Sequence, residues 1–156
     1  MNIFLLDEDL SRNAMCMVDK HVVKMPVESA QMLCTALHCC GQDAPYKATH
    51  INHPDNIWCR TSYENWMYLK ELALNICSEY TYRYGKIHKA ETVIRSLPYP
   101  NLPKSGLTKL PCCMDEQFIE GDDVVANYRR YYNIGKRHIH SWKNREIPNW
   151  IIAEEK

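Results

Sequence analysis

Between Asp19 and His38 the chain reads DKHVVKMPVESAQMLCTALH, and its apolar and polar positions separate at a helical period. Val22, Val23, Met25, Val27, Ala30, Met32, Leu33, Cys34, Ala36 and Leu37 fill one broad arc, while Lys20, His21, Lys24, Glu28, Gln31 and Thr35 fill the other. Only Ser29 strays. The pattern predicts a helix with a core-facing side. Pro26 lacks an amide donor and clashes one turn back, so the helix either kinks at Met25 or gives way to a second one opening with Pro26.

The same reading extends along the chain. NIFLL is short and apolar, a strand or an extended arm, and DEDLSRNAMCMV has helical character with acids in its first turn. GQDAPYKATHINHPDN is loop. From about Asn56 to Tyr84 a long helix is expected, because Trp58, Ser62, Trp66, Leu69, Ala73, Ile76, Cys77 and Tyr80 recur at helical spacing and Gly85 supplies a stop. HKAETVIRSL adds a short helix, and PYPNLPKSGLTKLPCC, with four prolines, is a surface loop. Asp122 or Asp123 caps a last helix through VVANYRRYYNIGKR, and HSWKNREIPNW is irregular. Strand signals are scarce. The expected fold is mainly α, a single compact domain over residues 1–156 with four to six helices and a long Pro-rich loop.

Composition agrees with a globular chain, at 46% hydrophobic and 24% charged residues. The formal net charge is zero, but it is unevenly spread. Residues 1–78 hold six Lys/Arg against nine Asp/Glu, net −3, and residues 79–156 hold thirteen against ten, net +3. A polyanion would meet the second half more readily. There is no secretory signal and no apolar run of the ~20 residues that span a bilayer, so a cytoplasmic location without a membrane partner is expected. Cys39–Cys40 and Cys112–Cys113 are adjacent pairs, and Cys16, Cys34 and Cys77 sit among apolar helix positions, which reads as reduced cysteines used as small hydrophobes.

Three groups of residues could carry chemistry. On the polar side of the first long helix, His21, Lys24 and Glu28 share a face with Gln31, a set suited to proton transfer or to gripping phosphate. Taken alone, Lys24 and Glu28 read more simply as a solvated pair one turn apart. Two aromatic–basic runs follow, EYTYRYGKIHK with Arg83, Lys86 and His88, and NYRRYYNIGKR with Tyr128, Arg129 and Tyr132. Basic groups neutralise phosphates while tyrosines stack on bases, so DNA or small nucleotides are the candidate partners. In HINHPDNIWCRTSYENW, His53, Arg60 and Asn65 are expected as polar contacts to such a ligand. His50 and His53 have metal-like spacing, but no second pair completes a zinc site, so no metal is assigned. Cys59 and Ser62 lack a paired base, Gly-rich nucleotide cradles are missing, and no cofactor is expected.

Across most of its length, through DKHVVKM, ESAQMLCTA, HPDNIWCRTSYENWMYL and EYTYRYGKIHK, the chain resembles a family of small bacteriophage proteins, a resemblance that brings no function with it. In shorter pieces it is similar to phage pyrimidine-dimer DNA glycosylases of the endonuclease V type: MNIFLLDEDL leading to a helix with a glutamate, then NHP, then YRRYYNIGK. That similarity implies a small helical protein whose N-terminal amine attacks the sugar C1′, assisted by one glutamate on an early helix. Carried onto this chain, Met1 would supply the amine and Glu28 the carboxylate. Asn2 should leave Met1 in place where the family exposes a threonine, and an α-amine with a pKa near ~8 is partly neutral at neutral pH. The expected function is therefore a DNA glycosylase/lyase acting in the host-cell cytoplasm. The alternatives are an enzyme or sequestering protein for small nucleotides, and a non-enzymatic interaction protein whose polar face is merely wet.

Overall fold

In the computed structural model, residues 1–153 are described, and the Asp19–His38 pattern folds as one helix. This helix, α2 (Asp19–Cys39), continues through Pro26, so no second helix opens there. The carbonyl one turn before the proline forgoes its helical donor, a local loss the packed face outweighs. Met25, Ala30, Met32, Leu33, Ala36 and Leu37 are buried as the pattern predicts, whereas Val23 and Val27 point outward at 44% and 37% exposure. The polar arc is not uniformly wet. His21, Glu28 and Thr35 are buried on it.

The expected Asn56–Tyr84 helix is in fact two, α3 (Pro54–Cys59) and α4 (Tyr63–Tyr84). Capping chemistry explains the break. His53 Nδ1 accepts the Asp55 amide at 3.1 Å with Pro54 at the first position, and Ser62 Oγ accepts the Asn65 amide at 3.0 Å to start α4 afresh. Gly85, at φ 70°, closes α4 in the left-handed conformation glycine favours. The remaining helices are α1 (Leu10–Cys16), α5 (Lys89–Ser96) and α6 (Val124–Ile134), capped by Asp9, His88 and Asp123. The fold is all-helical, with no strand among the described residues. All eight cysteines are free, and among the described residues no helix is long and apolar enough to cross a membrane.

Helices α2 and α4 form the central pair. Trp66, fully buried, donates its indole N–H to the Leu33 carbonyl at 3.1 Å, and Leu33, Leu37, Leu69 and Ile76 fill the interface. Each such aliphatic side chain contributes about 1.5–3 kcal/mol on burial.

NIFLL is an extended arm. Its Ile3, Phe4 and Leu6 are almost wholly buried, yet no neighbouring strand serves its backbone. Side chains do that instead. Asn13 accepts from the Leu6 amide at 2.7 Å and donates to the Phe4 carbonyl at 3.0 Å, while Arg129 donates to the Leu6 carbonyl at 2.8 Å. Asn2 donates to the Cys113 carbonyl at 2.8 Å and accepts the Tyr128 hydroxyl at 2.7 Å. The tail after α6 closes over α2, where Asp19 accepts the Ser141 hydroxyl at 2.6 Å and the Lys143 amide at 2.9 Å.

Phe4 stacks on His21 at 4.0 Å between ring centroids. The Tyr132 hydroxyl accepts the Val18 amide and lies 2.6 Å from His21 Nδ1, placed to donate to it. Burial, with Lys136 and Lys24 adding to it, pushes the His21 imidazole down to about 3. The folded imidazole is thus neutral where an unfolded one, at about 6.5, begins to charge. Below that point the unfolded chain binds the extra proton, so stability falls as pH drops from about 6.5 towards 3. His21→Gln is expected to flatten this loss, measured as the difference in melting temperature between variant and wild type from pH 7 to pH 4.

Candidate active site

The arm delivers Met1 to the side of α2. The Met1 side chain is only 4% exposed, but the residue as a whole is half-buried, so its accessible area belongs to the main chain, which carries the amine. Asn56 of α3 holds the side chain through Nδ2 to Sδ at 3.2 Å. The amine nitrogen stands 3.3 Å from Glu28 Oε1. Glu28 is 9% exposed, and its Oε2 accepts no hydrogen bond. Lys24 Nζ lies 3.9 Å from that oxygen with its side chain 70% exposed, free to swing toward a ligand. A carboxylate with one oxygen on an amine and the other uncommitted can steady a developing cation or carry a proton.

A second carboxyl lies close by. Asp55, in the first turn of α3, is fully buried. Its Oδ1 accepts the Cys113 thiol at 3.4 Å, and its Oδ2 has no partner. Burial pushes its proton affinity up, against the Cys113 hydrogen bond and the nearby N-terminal ammonium, to about 7. The Cys113 thiol is pushed up to about 12 by burial and by Asp55. His53 is held below its ordinary value by burial first, then by the ammonium and His50, with Glu28 opposing. The ligating atoms of His53, Asp55 and Cys113 lie within 4.8 Å of one another. As arranged they form a hydrogen-bonded network: the Nδ1 lone pair of His53 is taken by the Asp55 amide and the thiol proton by Asp55. With Nδ1 accepting, the proton of neutral His53 sits on Nε2, which can donate to a ligand.

The structure therefore brings together Met1, Lys24, Glu28 and His53 from the expected set and adds Asp55, Asn56 and Cys113. Asp55 escaped the sequence reading because an acid after His-Pro reads as ordinary helix capping. Cys113 looked like one half of a spare cysteine pair in a loop. The only available signal was the density of titratable types in HPDN.

Other expected contacts serve the fold instead. His21 is enclosed by Phe4 and Tyr132. Arg83 has a fully buried side chain whose Nε donates to Glu79 at 2.6 Å and whose Nη1 donates to Asp19 at 3.0 Å, so it is spent on internal charges rather than phosphates. Asn65 bonds the Trp58 carbonyl and Thr108, and His88 caps α5 while donating Nε2–H to the Val23 carbonyl at 2.7 Å. Tyr128 and Tyr132 are fully buried, with hydroxyls on Asn2 and His21, so neither offers a stacking face. Arg60 donates to the Ile51 carbonyl at 2.6 Å, Gln31 is half-buried, and Lys86 is exposed. Arg129, besides holding Leu6, sits 5.1 Å over the Trp150 ring in a cleft of about 640 Å³ that Arg12, Arg145 and Tyr82 also line.

Compared with known protein families, curated proteins and solved structures, the chain finds no match.

Removing Arg83 leaves Asp19 and Glu79 short of their buried counter-charge, although Arg145 still bonds Glu79 at 2.9 Å. Arg83→Leu is expected to cost about 3–5 kcal/mol in denaturant unfolding. Lys86→Ala, on the surface, should stay within about 0.5 kcal/mol of wild type.

Proposed function

We propose that this chain is a DNA-repair glycosylase with lyase activity, in which the Met1 amine is the nucleophile and Glu28 the assisting carboxylate. The observation that carries the reading is the 3.3 Å approach of the amine to Glu28 Oε1, in a residue whose accessible area lies on its main chain. The neutral amine attacks C1′ of a damaged deoxynucleotide. The glycosidic bond breaks, and the base leaves with the bonding electrons and takes up a proton. Ring opening gives an imine between Met1 and C1′. Loss of a C2′ proton then expels the 3′ phosphate, and water hydrolyses the imine to regenerate the amine. Glu28 steadies the positive sugar and relays the protons. His53 Nε2–H and the mobile Lys24 suit the flanking phosphates.

The test is borohydride trapping on an oligonucleotide carrying an abasic site. A covalent adduct at the N-terminal peptide is expected, and Glu28→Gln should slow its formation about 10²–10⁴-fold. A chain extended by Gly-Ser ahead of Met1 should form none. Undiminished trapping by the extended chain, or no adduct from wild type, sinks the reading.

A second reading rests on the cleft of about 640 Å³, where guanidinium groups of Arg12, Arg129 and Arg145 meet Tyr82 and Trp150. Arginines beside aromatic faces suit a small nucleotide. Arg145 and Arg129 are already engaged by Glu79 and Asp7, which leaves Arg12 the freest of them. In thermal-shift screening of nucleotides and cyclic dinucleotides the repair reading expects little stabilisation. A shift of several degrees, with no retention on duplex DNA, would replace repair by nucleotide binding.

A further inference from the structure

Two buried carboxyls lie near the Met1 ammonium: Glu28 touches it, and the ammonium's charge is felt at Asp55. Glu28 takes the direct contact at 3.3 Å. Asp55 is tied to the first two residues of the arm by two short routes. Its chain neighbour Asn56 grips Met1 Sδ at 3.2 Å. Its hydrogen-bond partner Cys113 accepts the Asn2 side chain on its carbonyl at 2.8 Å. A fully buried carboxyl with an unpartnered Oδ2 costs stability, and a thiol is a weak donor to the other oxygen. His53 already caps the helix, so Asp55 adds only its first-turn charge to the dipole of α3.

We propose that Asp55 is a positioning residue, a second counter-charge to the Met1 amine that sets how much of that amine is free to attack. The inference rests on the reading of Met1 as nucleophile, but its test needs no DNA. When Asp55 is ionised, its charge holds the amine as ammonium. When Asp55 takes a proton, that restraint is released and the amine is more readily neutral. The groups facing Asp55 leave it as the one that changes charge near neutral pH. Cys113 on the loop before α6 and Cys59 within α3 are held as thiols by burial. Burial likewise keeps the Tyr128 hydroxyl on α6 protonated, and His53 is held neutral. Glu28 on α2 is the resident partner of the amine. The raised proton affinity of Asp55, to about 7, fits a carboxyl poised between both states.

The experiment is reductive alkylation of the intact protein by a small aldehyde and cyanoborohydride across pH 5–9, read by mass spectrometry on the N-terminal peptide alone. Asp55→Asn is expected to move the pH midpoint of Met1 labelling down by about one unit, raising the neutral-pH rate several-fold. Cys113→Ser replaces the thiol by a stronger hydroxyl donor, favours the Asp55 carboxylate, and should move the midpoint up. A purely structural Asp55 would alter stability and leave both midpoints where wild type has them, and that result overturns the proposal. If Asp55→Asn does not fold, the Cys113→Ser midpoint decides: an upward shift supports the proposal and no shift overturns it. DNA trapping plays no part, so a failed glycosylase reading and a failed role for Asp55 remain separable.

Discussion

The organisation of this protein depends on burying an extended N-terminal arm whose first residue is a cation. Carrying an ammonium toward a protein interior is costly unless an anion meets it there. Glu28 meets it, 3.3 Å away, from the polar arc of α2. That contact fixes the register of the arm: with the amine anchored, Phe4 reaches His21 and Leu6 reaches Asn13. Slipping the arm by one residue would unseat every side chain that serves its backbone.

The arm also explains why so many polar groups lie inside. A lone strand without a sheet leaves amides and carbonyls with no ladder, and these must be matched individually. Asn2 accepts the Ile3 amide, Asn13 serves the Leu6 amide and Phe4 carbonyl, and Arg129 serves the Leu6 carbonyl, while Tyr128 holds the Asn2 side chain. The aromatic–basic run of α6 is thus largely an arm-binding surface. Its tyrosines and arginine have the composition of a nucleic-acid contact because both tasks demand hydroxyls and guanidinium groups beside aromatic faces.

The helices were legible in the sequence because burial of α2, α4 and α6 repeats along a helical period. The burial of His21 and Glu28 was not, since periodicity separates polar from apolar positions and says nothing of what covers the polar ones. Here the arm covers them. The break at Arg60–Ser62 was hidden because Ser62 falls in phase with the core positions, although its real task is to cap α4. Met1 entered through family resemblance, while Lys24 and Glu28 entered through their helical spacing. Asp55 and Cys113 belong to the site only through contacts that span the chain, as their separation of 58 positions makes plain.

The way the arm is held has a kinetic side. Its partners on α6 arrive late: Tyr128 bonds Asn2 across 126 positions and Arg129 bonds Leu6 across 123. These contacts cannot form until α6 has been made, whereas Asn13, His21 and Glu28 stand much earlier in the chain. Closing so long a loop costs chain entropy before any contact returns it, and such topologies fold slowly. Helices α2 and α4 can pair early. Docking the arm against α6 is then a late event, and it completes the burial of Ile3, Phe4 and Leu6.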